Sequence, residues 1–147
     1  MLIDAFSYVQ KMHKPKRMID LATLTKTTTI ALGTYTNGLF TNDEELANLY
    51  IKRGAEMHEQ SWILPIFEEH KEEIVSTVSD LVNKGVDKLG HSSRAAAFML
   101  NFIEEGTSWL HVDFYGPAHL KKACPPMPYL ATGFNTQTVL NLLRKHT

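Results

Sequence analysis

Apolar positions along the first third of the chain switch from one period to another. Leu2, Phe6, Val9 and, one turn on, His13 recur at helical spacing, with Lys11 and Lys14 near an end that Pro15 enforces. Residues 17–24 then form a short, largely apolar run, the pattern of a strand in a sheet covered on both faces. Thr41-Asn42-Asp43-Glu44 has the form of a capping box that opens another helix. Its consecutive acids favour the helix dipole, and Leu46, Leu49, Tyr50 and Met57 share one face. The clearest helix spans Ser93 to Glu105, where Ala95, Phe98, Met99, Phe102 and Ile103 follow the i, i+3, i+4, i+7, i+8 pattern. Ser92 or Ser93 is its expected N-cap, and Gly106 suits the residue just past its end. Trp109 to Tyr115 reads as a second strand. A Pro-rich loop, Cys124-Pro125-Pro126-Met127-Pro128, leads to a last helix capped by Asn135, with Arg144, Lys145 and His146 complementing its C-terminal dipole.

Strands alternating with helices predict an α/β layer structure with a mostly parallel sheet. Only two strands are clear, with short ones expected near Leu39 and Val78, and that is few for a self-contained α/β domain. The 147 residues show no internal repeat and no linker, so one domain, 1–147, is expected. A hydrophobic content of 44% and a charged content of 21% are ordinary for a globular chain. A net charge of -1 gives no electrostatic reason to expect nucleic acid or an anionic membrane as partner. No apolar run approaches the roughly 20 residues of a membrane span. The single cysteine, Cys124, excludes an internal disulfide framework and fits the reducing cytoplasm or an organelle matrix. Residues 1–17 are amphipathic and end in bases, as transit peptides do, but Asp4 interrupts the apolar part and the segment reads as folded structure.

Candidate chemistry is sparse. Seven histidines invite a metal search, yet His58-Glu59-Gln60-Ser61-Trp62 ends in Trp and His70 has no second His a helical turn away. His111 and Asp113 are two apart on a strand and share a face, as a ligand pair or a base and its orienting acid would. Without a third ligand or a nucleophile they make no site, and His111 reads as a buried histidine held by hydrogen bonds between Trp109 and Tyr115. Gly90-His91-Ser92-Ser93-Arg94 begins like a nucleophile elbow, but Arg94 stands where the closing glycine belongs and Val86-Asp87-Lys88-Leu89 is a weak strand. Lys11, Lys14, Lys16 and Arg17 form a small basic patch without an aromatic stacking platform. Cys124 has no partner or nearby base and reads as an inert thiol.

Met18-Ile19-Asp20-Leu21-Ala22-Thr23-Leu24-Thr25 resembles the Ile-Asp-(Val/Leu)-Ala-Thr-Leu-Thr segment of the leucyl aminopeptidases. The resemblance continues in order through Leu2-Ile3-Asp4-Ala5, Ala31-Leu32-Gly33, Gly38-Leu39-Phe40-Thr41-Asn42, Trp62-Ile63-Leu64-Pro65, Ala95-Ala96-Ala97-Phe98, His111-Val112-Asp113 and Ala131-Thr132-Gly133-Phe134. It implies the C-terminal half of a three-layer α/β/α catalytic domain with a mostly parallel central sheet, in a family that assembles as hexamers. Complete members use two divalent metals, zinc or manganese, to polarise the scissile carbonyl, bind the substrate amine and activate water. Their ligands are a lysine, three aspartates and a glutamate, assisted by a second lysine and an arginine. All of these lie upstream, ending in a run Asn-Thr-Asp-Ala-Glu-Gly-Arg that would come just before Met1. The resemblance therefore places no catalytic or metal-binding residue in this chain.

By the same resemblance, the substrate-pocket positions are Thr23, Leu24, Lys26, Tyr115 and Ala118. Leu24 is the position whose backbone carbonyl receives a hydrogen bond from the bound peptide. Lys26 replaces a family glycine, and Tyr115 replaces a small residue of the pocket wall. Each is expected to occupy space that a substrate side chain needs. The stretch from Leu89 to Arg94 departs from a Gly-rich family segment. The expected function is a leucyl-aminopeptidase-like chain, non-catalytic by itself, kept as a structural or assembly subunit. The alternative is the C-terminal portion of a working two-metal aminopeptidase that releases N-terminal amino acids, completed by a missing or separate N-terminal segment. Either way the expected partner is another polypeptide that completes the sheet, or a larger, hexamer-like assembly. The strand at 17–24 is expected to lack neighbours that the family draws from upstream sequence.

Overall fold

A computed structural model of the chain describes residues 1–83, 89–123, 125 and 128–144. Its elements run α1 (Leu2–His13), β1 (Arg17–Ala22), α2 (Thr28–Leu32), β2 (Thr36–Thr41), α3 (Glu44–Ala55), β3 (Gln60–Ile63), α4 (Glu68–Glu72), α5 (His91–Leu100), β4 (Ser108–Asp113), α6 (Tyr115–Ala118), β5 (His119–Leu120), β6 (Leu130–Ala131) and α7 (Thr136–Arg144). The main sheet has the order β1-β4-β2-β3. β1 pairs parallel to β4, β2 pairs parallel to β3, and β4 meets β2 antiparallel, so two of the three pairings are parallel. β5 and β6 form a separate antiparallel pair.

Side chains alternate across this sheet and build a core on each face. On one face Leu39, Leu110 and Val112 pack with Leu46, Ala47 and Tyr50 of α3 and Leu142 of α7. On the other, Met18, Phe40 and Trp109 pack with Phe6 of α1 and Ala96 and Met99 of α5. The result is the expected α/β/α arrangement in three layers. Polar groups fasten the layers where they would otherwise slide. Gln10, buried on α1, donates to Phe102 O (2.8 Å) and accepts from Glu104 N (2.8 Å), tying α1 to the turn after α5. Asn135 accepts from Asn37 Nδ2 (2.6 Å) and from Tyr50 Oη (3.0 Å), and Glu59 accepts from the Thr138 amide (2.8 Å), so α7 is held by β2, α3 and the segment before β3. Burial, with the Glu59 charge adding to it, pushes the Tyr50 phenol well above its ordinary value, and it stays a donor.

Several boundaries differ from the sequence expectations, each for a visible reason. β1 ends at Ala22, because Thr25 turns inward to bond Asp113 (3.0 Å) and the chain leaves the sheet. The cap of α3 is Asp43, whose Oδ1 accepts from Leu46 N (3.1 Å). Thr41 is the last residue of β2, and its hydroxyl donates to Trp109 O (2.6 Å). Met57 lies beyond the helix it was expected to share. α5 starts at His91 behind Gly90, whose positive φ of 58° sets the entry, so neither Ser92 nor Ser93 caps it. It ends at Leu100, well before Gly106. β4 ends at Asp113, and Tyr115 opens α6 instead of continuing a strand. Near Val78 there is only a bridge between Val75 and Leu81, whereas the strand near Leu39 is the full β2. Asn135 directly precedes α7, but its side chain crosses the core to Asn37 and Tyr50. Arg144 lies in the last turn; Lys145 and His146, and most of the weak strand at 86–89, fall outside the described residues.

Gly54 offers a direct test of the packing between α3 and the segment before β3. A Cβ there would meet the Glu59 carbonyl oxygen at 2.4 Å. Ala normally stabilises a helix interior by roughly 1 kcal/mol over Gly. Gly54→Ala should instead destabilise the chain by about 1–3 kcal/mol, the cost of overpacking against backbone. Denaturant unfolding measures the difference.

Candidate functional site at the carboxyl ends of the central strands

Because β1 and β4 run parallel, their carboxyl ends lie side by side, and Phe114 N extends the ladder to Ala22 O (3.1 Å). Two connections leave from this point. One carries Thr23, Leu24 and Lys26 toward α2; the other carries Tyr115 and Ala118 in α6. All five substrate-pocket positions drawn from the resemblance thus fall at one end of one strand pair, where ligand sites of open α/β sheets form. Thr23 and Lys26 are exposed, Leu24 and Tyr115 are each 39% exposed, and Ala118 is half-buried.

A cavity of about 990 Å³ opens beside this end, bounded by Leu2, Leu24, Thr25, His91, Phe98 and Phe102 among others. Neither Lys26 nor Tyr115 lines it. Lys26 stands out toward solvent. Gly116, the residue after Tyr115, packs so closely on Gly33 that a Cβ would lie 2.5 Å from its carbonyl oxygen.

Beneath the exposed residues the loop is tied to the sheet. Asp113, 1% exposed at the end of β4, accepts from Thr25 N (3.0 Å) and from Thr25 Oγ1 (2.5 Å). Ser92 Oγ, from the first turn of α5, lies 2.7 Å from both Thr25 Oγ1 and Thr27 Oγ1. Thr28 Oγ1 donates to Thr25 O (2.9 Å). Burial pushes the Asp113 carboxyl above the ordinary carboxylate range, while the Thr25 hydroxyl and the His111 ring pull it back down.

His111 and Asp113 do share a face of β4, but they serve different partners. His111 Nδ1 lies 2.6 Å from Asp20 Oδ1, and Trp109 Nε1 donates to Asp20 Oδ2 (2.9 Å). Asp20 stands opposite His111 in the β1–β4 register, so one carboxylate gathers two ring nitrogens from the neighbouring strand. His111 is thus the buried, hydrogen-bonded histidine expected, 1% exposed, and its ring stacks between Phe40 and Trp109 at centroid distances of 6.1 and 6.2 Å. Sequence reasoning missed two separate sets, Asp20 with Trp109 and His111, and Thr25 with Ser92 and Asp113. Their polar character on a buried strand was the available signal, but nothing local couples positions up to 91 apart.

The remaining candidates stay bland. Ser92 is engaged by two threonines. His70 Nδ1 accepts from Phe67 N (3.0 Å), and His58 is exposed in the left-handed region (φ 58°). Lys11, Lys14, Lys16 and Arg17 are all exposed, and Cys124 lies outside the described residues. Among the described residues no three His, Cys, Asp or Glu side chains converge as a metal site would need. Asp20 and Asp113, at the carboxyl ends of β1 and β4, already accept hydrogen bonds. The described residues therefore do not fit a two-metal centre of their own. No helix among them is long and apolar enough to cross a membrane.

The fold and the clustered loops define a class: the C-terminal part of an α/β/α catalytic domain of the aminopeptidase type. The cytosol aminopeptidase family, catalytic domain, matches residues 1–140, and the chain belongs to that family. A "Probable cytosol aminopeptidase" of Rickettsia africae is 39% identical over 147 residues, covering 99% of this chain and 29% of the relative. One of the same description from Oleidesulfovibrio alaskensis is 38% identical over 141 residues, covering 96% of this chain and 27% of the relative. Among solved structures, the bottromycin maturation enzyme BotP in complex with Mn superposes with a TM-score of 0.93 at 31% identity, over 99% of this chain and 32% of that one. A tomato leucine aminopeptidase mutant gives 0.89 at 30% identity, over 98% of this chain and 27% of that one. The chain thus spans less than a third of the length of these relatives.

The raised Asp113 carboxyl has a signed consequence. A folded-state value above the unfolded one means the folded chain holds the proton more tightly through that window. The contribution of Asp113 to stability therefore falls as pH rises from the ordinary carboxylate value through the raised one, and is level above it. The stability of wild type minus that of Asp113→Asn should decline over this window in denaturant unfolding at a series of pH values. A difference that grows with pH would contradict the assignment.

Proposed function

We propose that this chain is a non-catalytic component of a cytosol-aminopeptidase-type assembly. It contributes the loops at the carboxyl ends of β1 and β4 and is completed by another polypeptide along β1. The observation that carries this reading is the edge of the sheet. Among the described residues β1 pairs on one side only, over six residues, and Leu21 on it remains 38% exposed. An open edge of that length is an invitation to pair. The reading as non-catalytic is supported by the hydrogen bonds the carboxylates already make, Asp20 with Trp109 and His111, and Asp113 with Thr25. Thr23 and Leu24, by family resemblance, would face the backbone of a bound peptide. A cytoplasmic location is in keeping with relatives named as probable cytosol aminopeptidases.

A second reading has its own support. The Mn complex of BotP and the far greater length of the relatives favour a working two-metal aminopeptidase whose metal-binding portion lies on a further segment or a separate chain. Both readings share the completion along β1 and differ in what completes it.

Purified chain incubated with zinc or manganese, then freed of excess metal, should retain no stoichiometric metal by elemental analysis and should release no product from a leucine anilide. Two tightly held metals per molecule, or turnover, would overturn the first reading. Adding a polypeptide that carries the Asn-Thr-Asp-Ala-Glu-Gly-Arg run separates the two. Complex formation without turnover supports the assembly subunit, and the appearance of turnover supports the divided enzyme.

A further inference from the structure

The loop after β1 is exposed at Thr23, Leu24 and Lys26 and yet anchored at Thr25, which is 3% exposed. Its anchors come from two other elements, Asp113 at the end of β4 and Ser92 in the first turn of α5. We infer that Asp113 and Ser92 are positioning residues, a latch that holds the exposed Thr23–Leu24 main chain in one conformation for an incoming peptide backbone. The peptide part of this rests on the function proposed above; the latch itself does not.

The hydrogen-bond directions support a latch over a set of incidental contacts. A hydroxyl has one proton to give. Thr25 Oγ1 gives its proton to Asp113 Oδ2, so in the Ser92–Thr25 pair Ser92 must donate, and Thr27 must then donate to Ser92. One buried carboxylate therefore orders a chain of three hydroxyls that crosses from β4 through the loop to α5 and back to the loop. Asp113 also takes the Thr25 amide, fixing the peptide plane that joins Thr25 to Leu24. The carbonyl of Leu24 belongs to that same plane. Orienting this plane therefore orients the acceptor that the family resemblance assigns to the bound peptide. Thr28 Oγ1 secures the next carbonyl, that of Thr25, so two successive carbonyls have set directions. A platform ordered before binding spares the ligand the entropic cost of ordering it.

Amide hydrogen exchange on the full chain, read residue by residue by NMR, tests the latch. In wild type the Thr25 amide should be protected. In Asp113→Asn and in Thr25→Val its protection should fall by about tenfold or more, with the Met18 and Leu110 amides in the β1–β4 ladder unchanged, and Thr25→Ser should keep it. Thr25→Val is independent of any folding defect in Asp113→Asn. Unchanged Thr25 protection in both variants, or an equal loss at Thr25, Met18 and Leu110, would overturn the latch. The tripeptide Leu-Gly-Gly, titrated into the same samples, addresses the ligand. Shifts confined to Thr23 and Leu24 in wild type and Thr25→Ser, and lost in Thr25→Val, support positioning. Equal shifts in Thr25→Val overturn it. If wild type shows no shifts while the exchange pattern holds, the peptide reading fails and the latch stands.

Discussion

The parallel pairing of β1 with β4 is the constraint on which the rest of this structure depends. It joins residues 17–22 to residues 108–113, segments that are about 90 positions apart, in a register that sets Asp20 opposite His111 and Ala22 opposite Asp113. From that register follow the Asp20 carboxylate gathering the Trp109 and His111 rings, and the meeting of the two loops that carry Thr23, Leu24, Tyr115 and Ala118. A slip of one residue would move every side chain of β1 to the other face. Met18 would then leave the core it shares with Phe6 and Trp109, and Asp20 would enter the apolar layer under α3.

The same pairing fixes how the acidic side chains at this end of the sheet are used, and among the described residues no three potential ligands converge. The face of β1 and β4 that looks toward α5 carries two aspartates and a histidine, an inventory fit for ligands by composition alone. Each aspartate is instead matched to local donors, Asp20 to two ring nitrogens and Asp113 to the Thr25 amide and hydroxyl. Buried carboxylates with such partners hold loops and strands in place, and removing the donors would leave charges that the layer cannot solvate. The chemistry of this end of the sheet is therefore one of position: it sets where exposed main chain stands.

What the sequence disclosed follows the range of the forces involved. The N-terminal helix was legible because Leu2, Phe6 and Val9 share a face and Pro15 stops it, and β1 and β4 were legible as apolar runs. β2 was faint, since Asn37 and Gly38 interrupt its pattern; the Asn37 side chain is buried by bonds to Ser61 and Asn135 that no local signal announces. The cap of α3 moved from Thr41 to Asp43 because Thr41 was drawn to the Trp109 carbonyl of a strand far along the chain. The antiparallel meeting of β2 with β4 was not expected either, as alternation of helix and strand says nothing of strand order. At the candidate site, resemblance supplied Thr23, Leu24, Lys26, Tyr115 and Ala118, whereas the groups that fix them, Asp113, Ser92 and Thr25, emerged only once the strands were paired.

The two edges of the sheet are unequal. β3 is four residues long, a short edge of the kind proteins leave uncovered, but β1 runs for six residues with Leu21 partly exposed. A domain stable by only about 5–15 kcal/mol has little margin for such an edge. The central claim is that this chain needs a partner along β1. Sedimentation velocity combined with thermal unfolding of the chain alone, with a dye that reports exposed apolar surface, tests it most directly. The account predicts concentration-dependent association, dye binding and a broad transition. A monodisperse monomer that binds no dye and unfolds in one sharp, cooperative step would contradict it.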